Sequence, residues 1–322
     1  MTKSIIVRHE IAELTDNYLL KLTPMFPEIE FRAAYSLEHA MNLAPEAHAF
    51  IGIGPFVPPA LIGAMGKLEW VQTLTTGVDN FLNMAELPDH VPVTNIKDVQ
   101  GPQVSETALM LMMSLARRLP AMFEAQKEAR WERHMQPALF GKTLCILGLG
   151  NISETLALYA KTLGMKVLGV SDSRVKAPNV DHIYKRDELN VAAAEGDFLV
   201  VLVPLSEKTH HIVNAEVLSA MKPTGFVLNL ARGGCVDEAA LIKALQTGAI
   251  AGAGLDVFEH EPLPREDPIW SAPNVVLTPH IAGFADIVAE QCLPTVIKNL
   301  KIYAKIGASG LTSAIPSGLK KT

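Results

Sequence analysis

The chain has 322 residues, 49% of them hydrophobic, enough for two domains with separate cores. Its net charge of −6 comes without a basic block, which argues against nucleic acid as the main partner, and no uninterrupted apolar run approaches the roughly 20 residues that span a bilayer. Three cysteines, Cys145, Cys235 and Cys292, are odd in number and lack metal-ligand spacing, so small buried residues in a reduced, cytoplasmic protein with no metal site are expected.

The opening segment holds too short an apolar stretch for a signal peptide and reads as a first strand over residues 4–7. Residues 49–53 and 68–74 read as further strands. Gly101-Pro102 is expected to break the chain. Beyond it, residues 104–118 carry Val104, Ala108, Leu111, Met112 and Leu115 at helical spacing, and Leu119-Pro120 is expected to end that helix. Residues 122–133 are charged, with Phe123 and Trp131 as the large apolar groups, and are expected to project from the body. A second series of strands follows over residues 143–147, 167–170, 198–203, 226–230, 252–257 and 275–277. Residues 285–306 return to an amphipathic helical pattern, and 307–318 are irregular. Alternating short apolar runs and helical stretches predict an α/β fold with parallel sheets.

The second series opens on Leu144-Cys145-Ile146-Leu147-Gly148-Leu149-Gly150-Asn151-Ile152-Ser153, a G-x-G-x-x-G pattern with serine in the third glycine place. It follows a strand and opens a helix, the context that turns a weak motif into a dinucleotide site. Gly148 allows the tight turn, and Gly150 lets backbone amides, those of Asn151 and Ile152 among them, approach a pyrophosphate at the helix start. Ser153 costs some room there and is expected to leave the phosphate amides in place. Asp172 lies 22 positions after Gly150, where an acid reaches the adenosine ribose and repels a 2′-phosphate. That favours NAD over NADP, although Arg174 beside it is the residue type that accepts such a phosphate.

Three apolar runs in the last third each lead into a different functional group. Phe226–Leu230 leads into Arg232, the run through Leu255 leads past Asp256 to Glu261, and the run ending at Leu277 leads into His280. Ligands bind outside the carboxyl ends of strands in open α/β sheets, so the three should converge. Together they offer a cation for an anionic substrate, a proton carrier and an acid to tune it. The other histidines, His210, His211 and His260, read as turn or surface residues.

In order along the chain, Thr75-Thr76-Gly77-Val78-Asp79-Asn80, Val104-Ser105-Glu106, Gly148-Leu149-Gly150-Asn151-Ile152, Val203-Pro204-Leu205-Ser206, the Asn229–Gly234 run, Leu255-Asp256-Val257-Phe258-Glu259-His260-Glu261-Pro262 and Thr278-Pro279-His280-Ile281-Ala282-Gly283 resemble the serial motifs of the D-isomer-specific 2-hydroxyacid dehydrogenases. The resemblance covers nearly the whole chain, in the short form of the family with no regulatory domain after the tail. It implies two Rossmann-like or flavodoxin-like parallel-sheet domains with the active site in the cleft between them. Residues 1–99 and 285–322 would form a discontinuous substrate domain, and 100–284 an NAD-binding Rossmann domain. A homodimer joined around residues 122–140 is also implied.

The resemblance assigns roles as well. His280 would be the general acid of 2-oxo acid reduction and the general base of the reverse reaction. Glu261 would favour the charged imidazole and orient it, and Arg232 would bind the substrate carboxylate or keto oxygen. Val203 and Pro204 would face the nicotinamide ring, Asp256 its amide, and Ala231 would also line the cofactor. Gly54, Thr76, Gly77 and Val78 would bind the substrate. The loop over residues 52–59 carries no lysine or arginine, which points to a small unphosphorylated acid of the glyoxylate or hydroxypyruvate type. Phe284 replaces the small hydroxyl residue frequent in the family, and residues 308–316 depart from the usual family ending. A phosphoglycerate dehydrogenase-like enzyme is the alternative within the family. Formate oxidation on the same fold is disfavoured by Glu261, and a nucleotide-sensing binding protein like the corepressors of this architecture is the alternative from another class.

Overall fold

The structure is a computed structural model that describes residues 2–82 and 84–315. The chain divides into two compact units, Met1–Val99 with Asp286–Thr322, and Gln100–Ala285. In the first, strands β1 (Lys3–Arg8), β2 (Ile29–Ala33), β3 (Ala49–Gly52), β4 (Trp70–Thr73) and β5 (Val93–Thr94) alternate with helices α1 (Ala12–Leu22), α2 (Leu37–Leu43), α3 (Pro59–Ala64) and α4 (Asp79–Leu82). The strands form one sheet in the order β2-β1-β3-β4-β5, and every pairing is parallel. The order reverses direction between β1 and β3, the switch point at which such sheets open a crevice beyond their carboxyl ends.

The second unit carries β6 (Thr143–Leu147), β7 (Lys166–Val170), β8 (His182–Tyr184), β9 (Phe198–Val201), β10 (Phe226–Asn229), β11 (Gly252–Leu255) and β12 (Val275–Leu277). Its helices are α5 (Gly101–Ala116), α6 (Leu119–Lys127), α7 (Asn151–Thr162), α8 (Leu189–Glu195), α9 (Ala215–Ala220) and α10 (Glu238–Thr247). The seven-stranded sheet runs β12-β11-β10-β9-β6-β7-β8, all parallel, with its switch point between β6 and β9. A final helix, α11 (Val288–Ile306), belongs to the first unit.

The strand sequences follow from burial on both faces. Ile5 and Val7 pack into one core of the first unit and Ile6 into the core on the opposite face. Cys145 and Leu147 point into one core of the second unit, Leu144 and Ile146 into the other. A sheet covered twice needs no polar alternation, so its central strands read as continuous apolar runs. Three strands absent from the sequence expectation, β2, β5 and β8, are short, lie at sheet edges or carry polar residues. β2 contains Glu30 and Arg32, and β8 opens on exposed His182.

Two breakpoints work differently from expectation. Pro102 opens α5, because a first-turn residue needs no amide partner, and Pro120 likewise sits in the first turn of α6. The two helices are separated by Arg117 and Arg118, the latter at φ +54. The terminal helix is tied into the first unit by apolar and polar contacts. Val296, Leu300 and Tyr303 share a core with Ile5 and Trp70. Asn299 Nδ2 donates to Gln72 Oε1 at 2.7 Å, and Tyr303 Oη donates to Glu69 at 2.7 Å. These bonds make the unit discontinuous in sequence. Of the irregular tail, Pro316, Ser317 and Gly318 lie outside the described residues. All three cysteines are buried free thiols, and among the described residues no helix is long and apolar enough to cross a membrane.

Candidate active site

The β6–α7 turn is built by its glycines and by Ser153. Gly148 has φ +101, and a Cβ there would stand 2.8 Å from Val203 Cγ1 and 2.9 Å from the Leu202 carbonyl. Only glycine meets both demands. A Cβ on Gly150 would meet nothing within 4 Å, so the space over the start of α7 is open. Ser153 is buried, and its Oγ accepts the Gly150 amide and donates to the Gly150 carbonyl, both at 2.7 Å. The serine therefore occupies the Gly150 amide, and the first-turn amides of Asn151 and Ile152 are the ones placed to meet an anion. The turn still fits a dinucleotide pyrophosphate.

Asp172, just past β7, is exposed. Its Oδ1 accepts the Arg186 amide at 3.1 Å, and its Oδ2 stands 3.2 Å from Arg186 Nε. Arg174 is paired with Glu154 instead. Fourteen positions separate Asp172 from Arg186, so the second cation was not visible in the motif. Val203 is buried and Pro204 exposed, with the Pro204 carbonyl accepting Thr209 Oγ1 at 2.6 Å.

At the ends of β10, β11 and β12 the expected trio gathers. Glu261 Oε2 stands 2.6 Å from His280 Nδ1, and Glu261 Oε1 accepts the Phe258 amide at 3.0 Å. Burial pushes the Glu261 carboxyl up, but the His280 bond, the Phe258 amide and the charges of His280 and Arg232 outweigh it, so the net shift is below the usual glutamate value. Arg232 is thus close enough to bear electrostatically on the same carboxylate. With Nδ1 engaged, Nε2 of the 41% exposed imidazole is the nitrogen left for proton exchange.

Two residues hold this arrangement from below. Asn229 Oδ1 accepts the Ala231 amide at 3.1 Å and its Nδ2 donates to the Arg232 carbonyl at 2.9 Å, which shapes the turn that presents Arg232. An asparagine ending an apolar strand was the available signal for that role. Asp256, expected beside the nicotinamide amide, is 0% exposed and turned toward the histidine turn. Its carboxylate accepts Thr278 Oγ1 at 2.6 Å, the Ile281 amide at 3.0 Å and the Ala282 amide at 2.9 Å. Its carbonyl accepts the His280 amide at 2.7 Å. Phe284 is partly exposed, its amide bonded to the Ile281 carbonyl at 2.8 Å.

In the first unit, the segments after β3 and β4 are laced together. The Gly54 amide donates to Thr73 Oγ1 at 3.0 Å, and Asn80 Nδ2 donates to the Gly54 carbonyl at 2.5 Å. Asn95 Nδ2 takes the Thr76 carbonyl at 2.6 Å, and Thr75 Oγ1 takes the Gly77 carbonyl at 2.9 Å. The carbonyls of this loop are therefore engaged, which suits it to present the Gly77 and Val78 amides to an anion. Arg8, at the end of β1, donates from Nη1 to the Phe56 carbonyl at 3.2 Å. A cation thus reaches the loop that has none of its own.

A doubly wound parallel sheet with a Gly-x-Gly turn at its switch point, and an Arg, Glu, His group at its strand ends, defines a nicotinamide-dependent oxidoreductase. Residues 109–282 match the family of D-isomer specific 2-hydroxyacid dehydrogenases, in its NAD binding domain. The chain belongs to that family. It is 36% identical to glyoxylate/hydroxypyruvate reductase B of Klebsiella pneumoniae over 285 residues, 83% of this chain and 88% of that protein. Its fold matches a D-isomer specific 2-hydroxyacid dehydrogenase family protein of Aeromonas salmonicida with a TM-score of 0.84 and 33% identity, over 94% of this chain and 96% of the other. It also matches the NADPH-dependent glyoxylate/hydroxypyruvate reductase of Sinorhizobium meliloti, solved with NADP and malonate, at a TM-score of 0.78 and 30% identity, over 99% and 98% of the two chains.

Proposed function

We propose that the protein reduces a small unphosphorylated 2-oxo acid of the glyoxylate or hydroxypyruvate type to its D-2-hydroxy acid, with NADH as the preferred hydride source. The observation that carries this reading is the 2.6 Å contact between Glu261 and His280 Nδ1. It leaves the second ring nitrogen to protonate the oxygen on which charge develops. Arg232 binds the substrate carboxylate or keto oxygen through its planar fork of donors. Gly77 and Val78 present amides to the substrate, with Gly54 and Thr76 shaping the loop that carries them. The nicotinamide supplies the hydride when bound. Gly148, Gly150, Asn151, Ile152, Asp172, Val203, Pro204 and Ala231 line its site, while Asp256 acts on it through the turn bearing His280.

The names of the Klebsiella and Sinorhizobium relatives support the substrate class. Residues 52–59 carry no lysine or arginine, and Arg8, which reaches them from β1, is engaged by the Phe56 carbonyl at 3.2 Å, so the loop offers a phosphate no cation of its own, which weighs against a phosphorylated acid. Asp172 favours NADH because a carboxylate repels a 2′-phosphate. We also propose a homodimer. Trp131, Met135 and Phe140 are 93%, 94% and 79% exposed, a concentration of large apolar groups that a monomer leaves to water at a cost.

Steady-state turnover of a panel of 2-oxo acids with NADH and NADPH tests the reading. Turnover of glyoxylate or hydroxypyruvate that exceeds all phosphorylated acids supports it. Preference for phosphohydroxypyruvate moves the chain to the phosphoglycerate class. NADH binding with negligible turnover of every acid moves it to the nucleotide-sensing class. Sedimentation velocity of the wild type and of Trp131→Lys tests the dimer.

A further inference from the structure

A second carboxylate–imidazole pair lies beside the first. Glu259 and Glu261 stand two positions apart on the segment after β11, and they reach to different histidines. Glu261 meets His280, whereas Glu259 Oε1 stands 2.8 Å from His211 Nε2. His211 ends the segment that follows β9 and begins with Val203-Pro204. Its amide donates to the Gly234 carbonyl at 2.8 Å, its φ is +49, and its ring stacks on His210 with centroids 3.9 Å apart. A non-glycine residue persists in that conformation only where the surroundings hold it.

The backbone that links the two glutamates is gripped from two directions. A Cβ on Gly233 would stand 1.8 Å from the Phe258 carbonyl carbon and 2.2 Å from the Glu259 nitrogen. Residues 258 and 259 therefore lie flat on Gly233, immediately beside Arg232, and that close approach requires glycine. The Glu259 amide donates to Glu238 Oε1 at 2.7 Å, while its side chain holds His211. Phe258, so fixed, donates its amide to Glu261 Oε1 at 3.0 Å. A chain of short contacts runs from His211 and Glu238 through Glu259 and Phe258 to Glu261 and His280.

We propose that His211, Glu259 and Glu238 form a clamp that positions Glu261, and through it His280, for proton transfer. These are positioning residues; none of them touches a reacting atom. The inference rests on the reading of His280 as the proton donor. The charged groups around the clamp are Glu238, His260 and Asp267, with His210 stacked on His211. Burial, and the charge of Glu259, raise the Glu238 carboxyl above the usual range, even though the Glu259 amide pulls it down. That lessens the repulsion between the two acids at the clamp.

The test compares Glu259→Ala, Glu259→Gln, His211→Ala and the double alanine variant with the wild type. NADH affinity, kcat, KM and the pH profile of kcat are measured for each. In Glu259→Ala, kcat is expected to fall by at least about tenfold, with the NADH Kd within about twofold of wild type. The acid limb of the kcat profile should move to higher pH, because a Glu261 that loses the Phe258 amide and its hold on His280 titrates closer to its ordinary value. Glu259→Gln keeps an acceptor oxygen and should recover kcat to within about threefold. The double variant should be no worse than the worse single one, since the two side chains act as one unit. An unshifted pH profile with unchanged kcat in both single variants overturns the clamp. So does a loss of kcat that merely follows NADH affinity. Should the alanine variants fail to fold, His211→Gln and His211→Leu carry the comparison, and wild-type kcat with a wild-type pH profile in His211→Leu at the same NADH Kd overturns the proposal. His280→Ala separates the two levels: if it keeps wild-type turnover, the proton-donor reading fails. If it is inactive while Glu259→Ala is normal, only the clamp fails.

Discussion

The Glu261 carboxylate stands 2.6 Å from Nδ1 of His280, and that histidine is held at φ +53. A left-handed backbone costs a non-glycine residue roughly 1–2 kcal/mol, so the turn stores strain at His280, the residue proposed as the proton donor. Asp256 opposes the strain. It bonds the amides on either side of the carbonyl of His280's neighbour, Ile281 and Ala282, and its own carbonyl takes the His280 amide. The imidazole is thereby presented from a rigid turn on one side and a carboxylate on the other.

His280→Ala should lower kcat by about two to four orders of magnitude, the usual range for a general acid, while the NADH Kd stays near wild type. Glu261→Gln should lower it less, because the amide oxygen still accepts from Nδ1–H but no longer favours the imidazolium. The Glu261 carboxyl titrates below its ordinary value of 4.5 in the folded chain. Its contribution to stability is therefore complete above the unfolded-state value and is lost as pH falls through the lowered one. Kinetics with NADH binding measured in parallel check both variants, and retained turnover in His280→Ala would refute the proton-donor role.

Asp256→Asn should destabilise the fold and slow the enzyme together. The carboxylate is fully buried and accepts three hydrogen bonds, two of them from amides of the His280 turn. An asparagine would aim an NH2 group at one of those donors, at a cost of about 3 kcal/mol. Urea unfolding reads the stability, and kcat at saturating substrate should fall at least about tenfold as the turn relaxes. A variant with wild-type kcat would show that the strained conformation of His280 is held by other contacts.

The interior of both sheets was legible because burial on both faces forces unbroken apolar runs, as in Leu144 to Leu147. The edge strands were not, since exposed residues such as Glu30 and His182 erase that signal. Gly148 was legible as a turn glycine, and the convergence of Glu261 with His280 followed from their places at strand ends. What stayed hidden depends on contacts across the fold. Ser153 takes the Gly150 amide, Arg8 reaches the Phe56 carbonyl, and Arg186 sits on Asp172. No local pattern encodes such meetings, because they depend on which strands become neighbours and not on the spacing of residues within one segment. His211 was set aside as a turn residue for the same reason: its partner lies 48 positions away.

Acidification should weaken the first unit through His9. The residue is buried, and its Nδ1 accepts the Ile11 amide at 3.0 Å, a bond that only the unprotonated nitrogen makes. Burial, with the Arg8 charge beside it, lowers its pKa from 6.5 to about 4. Between those values the unfolded chain binds a proton that the folded chain refuses, so stability falls as pH drops from 6.5 to about 4. The loss amounts to about 3 kcal/mol at roughly 1.4 kcal/mol per pH unit. His9→Asn keeps an acceptor without the titration and should flatten the dependence over that window. Denaturant midpoints taken across it provide the measurement, and equal slopes in the two proteins would count against His9.

The cofactor preference should turn on the pair between Asp172 and Arg186. The carboxylate accepts the Arg186 amide at 3.1 Å and lies 3.2 Å from its Nε, so the acid proposed to repel a 2′-phosphate also restrains a neighbouring cation. Glu154 restrains Arg174 in the same way. Asp172→Ser removes the repulsion and frees the Arg186 guanidinium to bind the phosphate, since arginine forms charge-assisted pairs with phosphate as readily as with carboxylate. The ratio of kcat/KM for NADPH to that for NADH should rise by about a hundredfold, the equivalent of about 2.7 kcal/mol. Adding Arg186→Ala to that variant should remove most of the gain by raising the KM for NADPH with little change in kcat. If the double variant keeps the NADPH gain, the phosphate is held by other groups, and Arg174→Ala in the same background becomes the comparison that identifies them. A wild-type enzyme that already prefers NADPH would overturn the reading of Asp172 as the residue that excludes the 2′-phosphate.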